Sequence, residues 1–238
     1  MVQYRLTELT KSLPATVPFV GPETQERARG GPFDARIGAN ESVFGPSPGV
    51  VAAIAEAASS AWMYGDPENH TLCQAIAAQH GVEPGNIMVG EGIDALLGYV
   101  VRMFVGPGDS AVSSQGAYPT FNYHVVGYDG QLVTVPYRDD REDVDALLAA
   151  AAECQAKLIY LANPDNPMGT WSCAEKIDDM ISRVPAGALL VLDEAYGEFA
   201  EPGTLPEIDV SSDRVLRFRT FSKAYGLAGI RLGYVVGN

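Results

Sequence analysis

Short apolar runs, each closed by glycine, proline or an acidic turn, recur along the chain at a spacing that predicts alternating strands and helices. Residues 157–162 (KLIYLA) and 188–192 (ALLVL) are apolar along their whole length, as strands buried on both faces of a parallel sheet must be. Shorter β-prone runs at 86–89, 110–114, 131–135 and 215–219 read as further strands, and 229–237 (GIRLGYVVG) as a seventh. Helical periodicity fills the intervals. It is expected over about 47–61, over 68–80 with Leu72, Ile76 and Ala77 on one face, over 92–104, after Pro119, over 143–152 and over 173–183. Elements alternating in this way predict an α/β fold, a doubly wound sheet with helices on both faces. Residues 1–38, rich in Pro and Gly and weakly periodic, read as an N-terminal arm ahead of one large domain at 39–238.

Composition narrows the class of partner. The chain has 238 residues, 47% hydrophobic and 19% charged, which suits a core-building globular domain. A net charge of −14 argues against nucleic acid and against anionic membranes, and no apolar run is long enough to span a bilayer. The three cysteines, Cys73, Cys154 and Cys173, form no CxxC pair, and no signal peptide is apparent, so a reducing cytoplasm is the expected setting. His70, His80 and His124 have no metal-ligand spacing, and no metal is expected.

The candidate chemistry centres on 218–234, FRTFSKAYGLAGIRLGY. Lys223 follows an apolar strand and the hydroxyl residues Thr220 and Ser222, and precedes a small, glycine-rich stretch leading to Arg231. A lysine amine condenses with an aldehyde only where it is partly deprotonated and held beside it. Thr220, Ser222 and the Arg231 fork offer a phosphate on the same ligand its partners. An aldehyde and a phosphate on one small molecule suggest pyridoxal 5′-phosphate. Upstream, the strand–turn–helix Gly90-Glu91-Gly92-Ile93-Asp94 is an anion site in its own right, because free N–H groups and the helix dipole converge there. Asp94 is expected to cap that helix or touch the cofactor. Asp193 closes a buried strand at the sheet edge where open α/β folds place ligands.

The run S-K-A-Y-G-L-A-G-I-R-L-G-Y resembles the lysine segment of fold type I, class I/II aminotransferases, and is most similar to the histidinol-phosphate aminotransferase branch. The resemblance continues in family order through Ala39–Pro48, Tyr64-Gly65-Asp66-Pro67, Gly90–Asp94, Pro119-Thr120-Phe121, Asn163–Thr170 and Asp193–Tyr196. It implies a mixed, mostly parallel seven-stranded sheet. It implies that Lys223 holds the cofactor, that Asp193 pairs with the ring nitrogen, and that Asn166 and Tyr196 contact the ring 3′-oxygen. Gly92, Ile93, Asp94, Thr220, Ser222 and Arg231 would surround the phosphate. Phe121 would stack on the ring, with Tyr118 as the second candidate, and Asn40 would face the substrate. Tyr64 would reach across a homodimer interface to the neighbouring site.

Several positions depart from the family pattern. Ser42-Val43 replaces Asn-Pro, Ile93 replaces a small or hydroxyl residue, and Met168 replaces threonine. Family members continue beyond the seventh strand for on the order of a hundred residues, a small domain carrying the arginine for the substrate carboxylate. That domain is expected to be absent from this sequence, which ends at Asn238. The implied reaction moves an amino group from an L-amino acid or a phosphorylated amine to a 2-oxo acid. A decarboxylase or lyase of the same fold, or a non-catalytic fragment that binds the cofactor, are the alternatives.

Overall fold

The structure is a computed structural model and describes residues 4–14 and 20–238. Its centre is one seven-stranded sheet built from β1 (Ile87–Gly90), β2 (Ser110–Gln115), β3 (Gln131–Pro136), β4 (Leu158–Ala162), β5 (Leu189–Asp193), β6 (Val215–Thr220) and β7 (Gly233–Val236). The spatial order is β1-β7-β6-β5-β4-β2-β3. β7 runs antiparallel to both β1 and β6, and every other pairing is parallel, so six strands share one direction. This is the α/β, mixed and mostly parallel sheet the sequence predicts.

Period-two alternation assigns the strand residues to two cores. Leu158, Tyr160 and Ala162 join Val191, Phe218 and Val235 on one face, beneath the helices α5 (Gly92–Phe104) and α6 (Thr120–Gly127). Ile159 and Leu161 join Leu190 and Leu192 on the other, beneath α7 (Val144–Glu153) and α8 (Ala174–Ser182). A smaller cluster packs Cys73, Ile76 and Ala77 of α4 (His70–His80) against Ile87, Tyr234 and Val236. Asp143 caps α7, its side chain accepting the Ala146 N–H, as an aspartate before an alanine-rich helix should.

The N-terminal arm contains two short helices, α1 (Glu8–Ser12) and α2 (Pro22–Arg29), neither with a buried residue. Helix α3 (Pro48–Ala57) follows. It too has no buried residue, although its sequence, PGVVAAIAEA, is largely apolar.

The seventh strand is shorter than the expected 229–237. Ala228–Ile230 forms a 3₁₀ turn and Arg231 takes a left-handed conformation (φ 58°) before β7 begins at Gly233. That turn carries the Arg231 side chain back over the start of α5. Gly233 admits the approach: a Cβ there would lie 2.9 Å from the Gly92 carbonyl carbon and 3.0 Å from the Arg219 oxygen.

Candidate active site

The carboxyl ends of β1, β4, β5 and β6 lie along one sheet edge, and the turn that follows each delivers a polar group. Register fixes their order, since Ala162 pairs with Asp193, Asp193 with Phe218, and Thr220 with Gly233 beside Gly90.

Lys223 stands just beyond β6. Its Nζ donates to the carbonyls of Ala39 (3.2 Å) and Asn40 (3.4 Å) and lies 5.7 Å from the centre of the Tyr196 ring. Burial lowers its pKa below the usual lysine value, and the nearby Asp193 charge opposes that shift. The loops carrying these groups are seated by glycine contact. Gly226 (φ +68°) lies so close to Gly45 and Pro46 that a Cβ would meet the Gly45 carbonyl at 2.4 Å. Asn40, itself left-handed (φ 53°), donates from Nδ2 to the Tyr196 hydroxyl at 2.9 Å. Asn166 Nδ2 points at the same hydroxyl from 3.5 Å. Lys223, Asn40, Asn166 and Tyr196 therefore meet around one point. Beside them, Asn40, Asn166, Tyr196, Trp171 and Phe199 line a cavity of about 350 Å³.

Asp193 is 8% exposed. Its Oδ1 accepts the Ala195 N–H at 2.9 Å and its Oδ2 accepts the Tyr160 O–H at 2.8 Å. Burial raises its pKa, and these two hydrogen bonds pull the other way.

The α5 N-terminus supplies an anion cradle. Its N-cap residue, Glu91, makes no side-chain cap, so the first-turn N–H groups are left to a ligand. Gly92 has φ +81°, and a Cβ on it would lie 2.5 Å from Arg231 Nη2. The guanidinium thus lies directly over the Gly92 backbone, where only glycine leaves room for it. Arg231 Nη1 also reaches Ser222 Oγ at 3.4 Å. Ile93 follows Gly92 in the first turn. Guanidinium, hydroxyl and helix N–H groups together form the donor set a phosphate monoester requires.

Five of the expected site residues are placed as follows. Thr220 Oγ1 donates to the Leu232 carbonyl (3.3 Å) and accepts the Ser222 N–H (3.0 Å), so it braces the turn under the cradle instead of facing a phosphate. Asp94 neither caps α5 nor lies free. Its Oδ1 sits 2.9 Å from His124 Nε2, and that hydrogen bond holds its carboxyl below the usual range. Phe121 is completely buried and stacks on Tyr160, with ring centres 5.0 Å apart, because α6 lays it into the core; it offers a ligand no open face. Tyr118, the second candidate, is 38% exposed and donates its N–H to the Asn166 carbonyl. Tyr64 stands fully exposed.

The sequence reading missed a buried acid layer behind Asp193. Glu142 accepts Ser114 O–H (2.5 Å) and Ala162 N–H (2.8 Å), and Tyr137 O–H reaches both oxygens of Asp165 at 3.1–3.2 Å. It also missed Tyr160, whose signal was present: one hydroxyl inside an otherwise apolar buried strand. Among the described residues no cluster of His, Cys, Asp and Glu is arranged to hold a metal, and no helix is long and apolar enough to cross a membrane.

With this geometry in hand, comparison with known proteins identifies the family. The profile of aminotransferase class I and II matches residues 35–238. A histidinol-phosphate aminotransferase of Maricaulis maris is 39% identical over 206 residues, covering 85% of this chain and 57% of that protein. Histidinol-phosphate aminotransferase 2 of Carboxydothermus hydrogenoformans is 36% identical over 229 residues, covering 94% and 63%. The crystal structure of histidinol-phosphate aminotransferase from Sinorhizobium meliloti in complex with pyridoxal-5′-phosphate superposes with a TM-score of 0.95 at 55% identity, covering 99% of this chain and 64% of that one. The chain thus spans between about half and two thirds of the length of these relatives. By the profile match over residues 35–238, the chain belongs to the class I and II aminotransferase family.

Proposed function

We propose that this chain is the cofactor-binding part of a pyridoxal 5′-phosphate-dependent aminotransferase. The reaction moves an amino group from an L-amino acid or a phosphorylated amine of the histidinol phosphate type to a 2-oxo acid. One observation carries the reading. A partly desolvated lysine, a buried carboxylate and an uncapped helix N-terminus roofed by an arginine meet on one sheet edge. The relatives' names supply the substrate class.

The residues fit the cofactor. Arg231, Ser222 and the N–H groups of Gly92 and Ile93 hold its phosphate. Asp193 faces the ring nitrogen and keeps it protonated, and Asn166 and Tyr196 contact the ring oxygen. When bound, the cofactor supplies an electron sink for the substrate carbon. Lys223 is the residue that would hold the aldehyde, and its free amine would carry the proton at the substrate carbon, a task helped by its lowered pKa. Asn40, bonded to Tyr196 and lining the same cavity, would face the substrate.

The functional unit is proposed as a homodimer in the cytoplasm. Tyr64, Trp62 and Met63 are all exposed, next to a helix, α3, that buries nothing within this chain. A second copy covering that surface would bring Tyr64 to the neighbouring phosphate. The three free cysteines suit a reducing compartment.

The test is the absorbance of purified protein with pyridoxal 5′-phosphate, followed by borohydride reduction and mass mapping. A visible band that reduces onto Lys223, and is missing from Lys223→Ala, is expected. A band that survives in Lys223→Ala refutes the assignment. Dependence of turnover on an added 2-oxo acid then separates transamination from decarboxylation or elimination.

A further inference from the structure

Asp193 sits in the middle strand of the sheet, where its backbone has no freedom. Its carbonyl accepts the Asn163 N–H at 2.8 Å, and its neighbours on β4 and β6 are fixed in register. Its side chain points to the face shared by Val191, Tyr160 and Phe121. There the carboxylate is nearly out of water, a setting that favours its neutral form. A neutral acid could not keep a ring nitrogen protonated, so the fold must hold the charge in place.

Two donors do so, one on each oxygen: the Ala195 N–H and the Tyr160 O–H. The first comes free with the turn after β5. The second does not, because it requires a hydroxyl inside a strand that is otherwise Leu, Ile and Ala. The phenol ring is 1% exposed and lies nearly parallel to Phe121, with planes 18° apart, so its oxygen is held in place beside Asp193 Oδ2. A carboxylate has about four lone-pair positions. Two are taken, and one remains on each oxygen for a ligand.

We propose that Tyr160 is the positioning residue for Asp193: held by the Phe121 stack, its O–H keeps Oδ2 oriented and the carboxylate ionised, so that the remaining lone pairs serve the cofactor ring nitrogen. This rests on the cofactor reading given above. It also gives Phe121 a role at one remove from the ligand. The groups acting on the Asp193 charge are Lys223 beyond β6, Glu194 and Tyr196 on its own strand and turn, Tyr160 on β4, and Glu142 from the segment before α7. Lys223 opposes the burial of the charge, Glu194 is paired with Arg217 and Arg219, and Glu142 is raised by its own burial, so removal of the Tyr160 donor leaves the Ala195 N–H as the one protein hydrogen bond holding the Asp193 charge against desolvation.

The test is Tyr160→Phe, which removes one oxygen and keeps the stack. In cofactor-free protein, carboxyl NMR of aspartate-labelled wild type and variant reports the Asp193 titration midpoint, assigned with Asp193→Asn. The midpoint is expected to rise by about one pH unit or more, the size of one hydrogen bond to a charged group. In protein loaded with ring-labelled pyridoxal 5′-phosphate, the nitrogen resonance is expected to move toward the unprotonated position in the variant. An unchanged midpoint in folded Tyr160→Phe overturns the proposal, as does an unchanged ring-nitrogen signal. Failure of the wild type to bind the cofactor would count against the cofactor reading alone, since the cofactor-free titration still decides the Tyr160–Asp193 contact. If Tyr160→Phe does not fold, a fluorinated tyrosine at the same position decides instead. Its more acidic O–H must lower the midpoint, and no change refutes the proposal.

Discussion

Glu142→Gln tests whether the acid layer behind the site is held neutral by the fold. Glu142 is 6% exposed. Burial pushes its carboxyl from 4.5 up to about 8; the Ser114 and Ala162 hydrogen bonds oppose this, and the charges on Asp165 and Asp193 add to it. The folded pKa lies above the unfolded one, which fixes the sign. Below about 4.5 both states carry the proton and the contribution to stability is fully present. Between about 4.5 and 8 the unfolded chain releases the proton while the folded chain keeps it, so stability falls as pH rises. At ~1.36 kcal/mol per pH unit, the span of about 3.5 units amounts to about 5 kcal/mol. Glutamine keeps the shape and the oxygen that accepts the Ala162 N–H, but it cannot ionise. Asp165, Asp193 and Glu198, which burial also raises, titrate in both proteins and largely cancel in the difference. Urea unfolding at intervals between about pH 5 and 8 should show the wild type losing stability relative to Glu142→Gln, with the gap widening steadily toward pH 8. Parallel profiles for the two proteins would refute the reasoning, because they would mean that Glu142 titrates in the folded protein as it does in the unfolded chain.

Two further perturbations probe the cradle and its support. Gly92→Ala places a Cβ at φ +81° and 2.5 Å from Arg231 Nη2, so it should weaken pyridoxal 5′-phosphate binding by about tenfold or more; equilibrium dialysis measures this, and an unchanged Kd would remove Gly92 from the cradle. Glu194→Gln strips the charge that Arg217 (2.5 and 3.0 Å) and Arg219 (2.9 Å) share at a fully buried position. Breaking such a pair should cost about 3–5 kcal/mol in urea unfolding, and a loss under about 1 kcal/mol would mean the two arginines find other partners.

The fold was legible because its signals are local. KLIYLA and ALLVL announce buried parallel strands by composition alone, and β4 and β5 lie within a residue of where those runs place them. The end of the chain was less legible. GIRLGYVVG has the composition of a strand throughout, yet its first half turns, because Arg231 adopts a left-handed conformation to reach Gly92 across the sheet. That pull is tertiary and leaves no mark on local propensity. The site residues divide in the same way. Lys223, Asp193, Asn166 and Tyr196 each follow an element that reads clearly, and the fold brings them together. Phe121, expected at the ring from its place in the family motif, packs in the core beneath α6, and Thr220, expected at the phosphate from its hydroxyl, bonds within its own turn. Asp94 looked like a cap, and only the packing of α6 against α5 reveals His124 as its partner.

A global charge of −14 opposes a ligand bearing a phosphate, and the strand order explains how the site overcomes it. Across the sheet edge the cationic groups and the buried acids fall on different strands. The α5 N-terminus follows β1, Arg231 precedes β7 and Lys223 follows β6, whereas Asp193 ends β5 and Asp165 follows β4, with Glu142 bonded to the last residue of β4. The cationic groups therefore lie on the β1-β7-β6 side, where Asp94 and Glu41 partly offset them, and the buried acids on the β5-β4 side. The ligand favoured by such a field is dipolar, with an anionic group at one end and a protonated nitrogen at the other, and it must lie along the edge in one orientation only. Burial strengthens both halves, since low water content raises the worth of each charge contact. The acids behind Asp193 would spoil this field if all were ionised. Glu142, held protonated near neutral pH, leaves Asp193 as the carboxylate facing the ligand. The buried layer and the cradle are thus two parts of one electrostatic arrangement, and Tyr160, bonded to Asp193 inside that layer, joins them.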